Sequence, residues 1–364
     1  MDALKIAFWA SLGALLWTHL AYPLAARALA AARSRPVRKD DAYLPNVAVI
    51  VAAYNEEPVI ERRIANLRSL DYPPERLEIV VTSDASTDRT DELAAASGAR
   101  VIRNPRGGKV AAQDRAVRET SSDIVAFSDA NATWAPDALR KLVRNFADPD
   151  VGYVTGRANL QTDDGRNKEG VYWRYELALR ADESRLHSVT GGNGPIYAVR
   201  RGDYVEVDPR FGHDLSFPYL MVQRGRRAVY ESEANSYEKA TPTNEDEYRR
   251  KVRMFEHCWA IVAEGKMLRR LRPLYVIEIL SHRHLRYASG VLHLLLLGTN
   301  IALLGHGTVY SVTLGLQLGL LLAALVGVGV ARYYVLVTWA TVVALWNYAR
   351  RGVPTTWEAA EGTR

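Results

Sequence analysis

Residues 123–131 read DIVAFSDAN: an apolar run, IVAF (124–127), ends in Ser128, Asp129, Ala130 and Asn131. Strands buried on both faces read as continuous apolar runs, and open parallel sheets bind ligands at the carboxyl ends of their strands. Asp129 and Asn131 have one residue between them, so in an extended chain their oxygens share a side and suit one hard cation. The same residues also suit a helix start, because APDAL (135–139) downstream reads as helical and Asp or Asn caps such starts well. Taken alone, the stretch supports both readings equally.

Upstream, the same pattern recurs three times. VAVIVAA (47–53), LEIVVTS (77–83) and ARVI (99–102) are short, mostly β-branched runs. Helical patterning fills the spacers at 57–70, 88–97 and 109–119. Strand and helix in alternation imply a parallel sheet with crossover helices, an α/β nucleotide-binding arrangement. Each strand runs into polar residues: Tyr54-Asn55-Glu56-Glu57, then Ser83-Asp84 through Asp88, then Asn104 through Lys109. One such end is an ordinary cap, whereas four in a row point to a ligand crevice. Gly107 and Gly108 let backbone approach a phosphate, and Lys109 adds a charge at a helix start. No G-x-x-x-x-G-K-[ST] occurs there and no G-x-G-x-x-G follows the first strand, which excludes a Walker A loop and argues against a dinucleotide fingerprint.

The 364 residues carry a net charge of +6, unevenly spread. Residues 6–26 hold no Asp, Glu, Lys or Arg and are followed by Arg27, Arg33, Arg35, Arg38 and Lys39. That run is long enough to span a bilayer and longer than a signal-peptide core, and its basic flank favours a cytoplasmic continuation. Residues 309–330 form a second uncharged run, with shorter ones at 291–304 and 333–349. The expected plan is an anchor at 1–30, a cytoplasmic domain at 45–265 and an amphipathic interfacial segment at 266–287. About three transmembrane helices at 288–350 and a tail at 351–364 complete it. Three spans would put the C-terminus outside, yet Arg350 and Arg351 favour the inside. The single cysteine, Cys258, excludes an internal disulfide and a thiolate metal cage. Membrane-flanking bases account for the charge, so no nucleic-acid partner is expected.

In this order and spacing, YNEE (54–57), SDASTD (83–88), RGGKVAAQD (106–114) and FSDAN (127–131) resemble the family 2 glycosyltransferases. These are inverting enzymes of GT-A fold that use nucleotide-activated sugars. The resemblance covers about residues 47–253, and spans on both sides resemble the branch of cellulose, chitin, hyaluronan and poly-N-acetylglucosamine synthases. It implies that Glu56 and Asp84 contact the donor's base and ribose and that Lys109 faces its nucleotide side. Asp129 and Asn131 stand at the usual D-x-D position and would hold Mg2+ or Mn2+. GGNG (191–194) falls on the acceptor side, through Gly192, Asn193 and Gly194. In GHDL (212–215), Asp214 stands where the family places its catalytic base, with His213 replacing the usual Glu. RKVRM (250–254) takes the place of Q-x-x-R-W, so Arg253, or Arg250 one turn earlier, would bind donor diphosphate. Met254 replaces the ring that abuts the acceptor sugar in relatives, which weakens the case for a long polymer.

The bland readings are caps for Glu56, Asp84 and Asp214, a tight turn for the glycines, and a solvated basic helix face for the arginines. The resemblance therefore implies a multi-pass protein of the cell (inner or plasma) membrane with a cytoplasmic catalytic domain. Its partners would be a UDP-sugar donor, a growing polysaccharide or lipid-linked acceptor, the bilayer, and further copies or a secretion partner. The rival readings are a sugar nucleotidyltransferase and a membrane scaffold with a degenerate transferase domain.

Overall fold

The computed structural model describes residues 1–161, 170–239 and 243–353. After an N-terminal helix, α1 (Asp2–Ala32), the chain lays down β1 (Val47–Ala53), β2 (Leu77–Asp84), β3 (Arg100–Asn104) and β4 (Ile124–Asp129) as a parallel sheet. The crossovers are α2 (Ile60–Arg68), α3 (Thr90–Ala96) and α4 (Lys109–Arg118). Because side chains alternate along a strand, β1 feeds two cores. Val47, Val49 and Val51 pack with Ile60, Ile64 and Leu67 of α2, and Ile50 joins Val80, Phe127 and Val117 on the other face. Register pairs Ala53 with Ser83 and Ala52 with Asp129, so the polar ends of β1, β2 and β4 meet at one edge.

Past β4 the sheet turns mixed. The short β5 (Thr133–Trp134) and α5 (Ala138–Val143) lead to β6 (Val151–Gln161), then α6 (Val171–Leu186), β7 (Tyr197–Arg200), α7 (His213–Gln223) and β8 (Arg227–Lys239). The strand order is β3-β2-β1-β4-β7-β6-β8-β5. The cap reading of FSDAN fails here: β5 intervenes, α5 starts only at Ala138, and its cap position is Asp137.

The C-terminal part carries α8 (Asn244–Ala263), α9 (Ser289–Ala302), α10 (Thr308–Leu325) and α11 (Gly329–Arg351), with short helical pieces at Pro273–Glu278 and Leu285–Tyr287 between α8 and α9. Among the described residues, α1, α10 and α11 are long and apolar enough to cross a membrane, while α9 has 14 residues and reaches only about 21 Å. The sheet domain packs against part of this apolar chain. Tyr22, Ala26 and Ala30 of α1 pack on Leu179 and Leu186 of α6, so the lower turns of the expected anchor belong to the domain. Residues 266–287 show two faces: Tyr275, Ile279 and His282 are buried, while Leu274, Ile277 and Leu280 are exposed. Ala340 and Ala344 of α11 pack on Val252, Phe255 and Cys258 of α8. Beyond them Glu256 accepts from Asn347 (2.7 Å) and Arg351 (3.0 Å). The basic end of α11 thus lies against α8.

Candidate active site

The edge where β1 and β2 end is held under strain. Asn55 and Ala85 follow these strands with φ of 53° and 62°, a left-handed conformation that costs a non-glycine residue about 1–3 kcal/mol. Asn55 stitches the two loops together: its Oδ1 accepts from Thr87 N at 2.8 Å, and its N–H donates to Ser86 Oγ at 3.2 Å. Glu56 is buried, and its N–H donates to Thr90 Oγ1 at 2.8 Å. Asp84 accepts from the N–H groups of Gly107 (2.7 Å) and Gly108 (3.0 Å) and from Arg106 (2.9 Å). Gly108, at φ 90°, starts α4 in a conformation that glycine alone adopts cheaply. Arg106 stacks on the Tyr54 ring, its Cζ 3.3 Å from the ring centre. The YNE, SDAS and GGK motifs therefore form one rigid rim.

Lys109, Asp129 and Asp214 converge inside that rim. Lys109 Nζ pairs with Asp129 Oδ1. Asp214 arrives from the first turn of α7. A Cβ added to Gly194 would sit 3.8 Å from Asp129 Oδ2, 3.8 Å from Lys109 Nζ and 3.9 Å from Asp214 Oδ2, so all three charged tips surround that glycine. Burial raises the Asp214 pKa and Asp129 adds to the rise, against Lys109 and His213. Burial works against the Lys109 ammonium, but Asp129, Asp214 and Glu238 outweigh it and raise its pKa. The geometry sets a carboxyl of raised pKa beside a cation paired to Asp129.

Two charged residues that sequence reasoning passed over share this field. Arg63 is buried beneath it, donates to Ser128 Oγ at 2.7 Å, and stands 5.1 Å from the Trp134 ring centre. Its signal was a cation on the apolar Ile60–Ile64–Leu67 face of α2. Glu238, near the end of β8, obeys the same strand-end rule as the other acids. Burial and Asp129 push its carboxyl up to about 7, against Arg250, Lys109 and Arg63. An unfolded glutamate titrates near about 4.3, so between there and about 7 the folded chain keeps a proton that the unfolded chain has lost. Stability therefore falls as pH rises through that window. Glu238→Gln, neutral throughout, should melt like wild type near about pH 5 and several degrees higher near about pH 8. Thermal denaturation in detergent checks this, and an identical offset at both pH values would contradict it.

The remaining candidates divide by position. Arg250 is held by Glu247 (2.8 and 2.9 Å), and Glu238 also raises its pKa, which ties it to the Asp129 field. Burial and the neighbouring Arg250 lower the Arg253 pKa, against Glu256. Asn193 is committed to the scaffold: it accepts from Arg180 (2.7 Å) and donates to Gly156 O (2.6 Å). Gly192 is a packing glycine, because an added Cβ would fall 1.8 Å from Tyr153 Oη. Of the three acceptor-side candidates, Gly194 alone borders the charged tips. His213 turns inward, with Nδ1 3.1 Å from Tyr197 Oη and Nε2 3.3 Å from Asp114, and so anchors α7 under Asp214.

Among the described residues no group of three or more His, Cys, Asp and Glu forms a ready metal cage. β4 ends at Asp129 and Asn131 lies in the turn beyond it, where Ala132 N–H donates to Asp129 O at 3.3 Å, so the carboxylate and the amide oxygen come from a turn and not from one extended strand. That donor set suits a hard cation which takes its other ligands from phosphate and water.

Residues 48–206 match Glycosyl transferase family 2. A beta-monoglucosyldiacylglycerol synthase of Synechocystis sp. is 36% identical over 164 residues, 42% of this chain and 33% of that protein. An N-acetylglucosaminyltransferase of Rhizobium meliloti is 32% identical over 217 residues, 52% of this chain and 50% of that protein. The chain thus spans a third to a half of the length of these curated relatives. The solved structure of a mannosyltransferase from Pyrobaculum calidifontis, in complex with GDP-Man and Mn2+, superposes with a TM-score of 0.77 at 23% identity. It covers 96% of this chain and 99% of its own, a likeness of fold. The motifs, the family match over residues 48–206 and the sheet order agree on a glycosyltransferase domain of GT-A fold, similar there to family 2.

Proposed function

We propose that the protein transfers a sugar from a nucleoside diphosphate sugar, a UDP-sugar by preference, to an acceptor at the membrane surface, with inversion at the anomeric carbon. The observation that carries this reading is the convergence of Asp129, Lys109 and Asp214 on Gly194. Glu56 and the Asp84-braced loop form the nucleotide rim, and Lys109 with Arg250 or Arg253 faces the diphosphate. Asp214 takes the proton from the acceptor hydroxyl as that oxygen attacks the anomeric carbon, and the bond to the diphosphate oxygen breaks on the opposite face. Lys109 meets the negative charge that develops on the leaving group. A divalent cation, Mn2+ or Mg2+, when bound, would be held by Asp129 with Asn131 and would supply further positive charge there. The bilayer holds α1, α10 and α11, with the catalytic domain on its cytoplasmic side. The acceptor is a growing polysaccharide or a lipid-linked sugar.

Membranes containing the protein, incubated with UDP- and GDP-sugars and Mn2+, test the reading by release of nucleoside diphosphate. Turnover of one donor class supports it. Pyrophosphate release from a nucleoside triphosphate would indicate a nucleotidyltransferase, and neither binding nor turnover of any donor would favour the scaffold.

A further inference from the structure

Where the chain passes from the catalytic domain into α9, it makes a π-helical turn, Ile279–His284, a rare geometry that concentrates at functional positions. His282 is fully buried there, with Nδ1 2.7 Å from Glu183 Oε1 and Nε2 2.9 Å from Glu176 Oε1, both on α6. Arg286 pairs with Glu176 Oε2. Tyr22 of α1 donates to Glu183 at 2.7 Å, while Trp17 and Thr18 donate to Ser281 at 2.8 and 2.6 Å. Burial alone would raise the pKa values of Glu176 and Glu183, but His282 and its arginine neighbours outweigh it and hold both carboxyls low. The turn therefore joins the first apolar helix to the domain, through hydrogen bonds to Ser281 on one side and the buried His282–Glu183 and His282–Glu176 contacts on the other.

From this turn a short chain of contacts runs to the base. Arg283 Nε donates to Thr190 Oγ1 at 2.9 Å, and that hydroxyl donates to Glu183 Oε2 at 3.0 Å. At the next residue, Gly191, an added Cβ would fall 2.5 Å from Arg283 Nη2. Gly192 N–H then donates to the backbone carbonyl of Asp214 at 2.7 Å, and Tyr153 closes its other side. The Gly192 link leaves no room for an extra atom, because an added Cβ would also fall 3.2 Å from the Asp214 carbonyl oxygen.

We propose that Arg283 and Thr190 are positioning residues for Asp214, so that the membrane-proximal turn sets where the base stands. This rests on Asp214 being the base. The test uses the full-length protein in lipid nanodiscs, with Thr190→Val and Arg283→Met beside Thr190→Ser, Arg283→Lys and Asp214→Asn. Both disrupting variants should lower kcat about tenfold or more, the scale on which small misplacements act, with donor KM within about twofold. The acid limb of the kcat profile should shift, and Thr190→Ser and Arg283→Lys should recover most of the loss. A kcat and acid limb matching wild type in both, while Asp214→Asn is inactive, overturns the coupling. Full turnover by Asp214→Asn instead removes the base assignment, and the proposal with it. If Arg283→Met no longer binds nucleoside diphosphate, Thr190→Val, which deletes one hydroxyl at constant shape, decides alone.

Discussion

Asp214→Asn is expected to lower turnover by roughly 10²–10⁴-fold, the usual worth of a general base, while nucleoside diphosphate affinity stays within a few-fold. The substitution keeps the shape of the side chain and removes only its capacity to accept a proton. Asp214 is placed to act because Gly192 holds its carbonyl, His213 roots its helix turn between Tyr197 and Asp114, and its carboxylate borders Gly194 beside Lys109. Burial raises its pKa. A base works when deprotonated, so the wild-type rate should fall as pH drops through that raised pKa, above the ordinary aspartate value of about 3.9. Initial rates across pH, with nucleotide titrations on the variant, check both halves. Retained turnover, or lost nucleotide binding, would contradict the assignment.

Asp129→Ala should remove activity by on the order of 10²–10³-fold at every metal concentration, since several kcal/mol of charge stabilisation depend on this strand end. Asp129 also neutralises Lys109, so the variant leaves that ammonium without its partner. Asn131→Ala removes only a neutral oxygen. It should need more Mn2+ for half-maximal rate and recover at saturation. Turnover followed against Mn2+ concentration separates the two. Full activity of both variants across the range would reduce FSDAN to the end of a strand.

Much of the first half of the chain was legible because its physics is local. Unbroken β-branched runs gave β1, β2 and β4, and acids at their ends marked the crevice. Parts of the second half resisted because their signals depend on partners distant in sequence. β8 reads as a polar segment, yet Glu231 within it is buried by Lys39 (2.8 Å), Arg144 (3.2 Å) and Asn145 (3.0 Å). Glu238 went unread for the same reason: its neighbours come from α2, α4, β4 and α8. The cap reading of Asn131 failed because two residues of β5 find β8, a pairing that no window around residue 131 contains. For the paired arginines, periodicity put Arg250 and Arg253 on one helix face. Tertiary contacts then bring Glu238 to Arg250, which no helical period shows.

Direct displacement by an acceptor oxygen activated at Asp214 fixes the stereochemistry, which makes the product's anomeric configuration the most direct test. Once the donor panel has identified a substrate, the coupling constant of the new anomeric proton can be read by NMR from the first product formed. The account predicts a linkage of configuration opposite to that of the donor. A linkage of the same configuration would require a second displacement or a front-face route, and would contradict it.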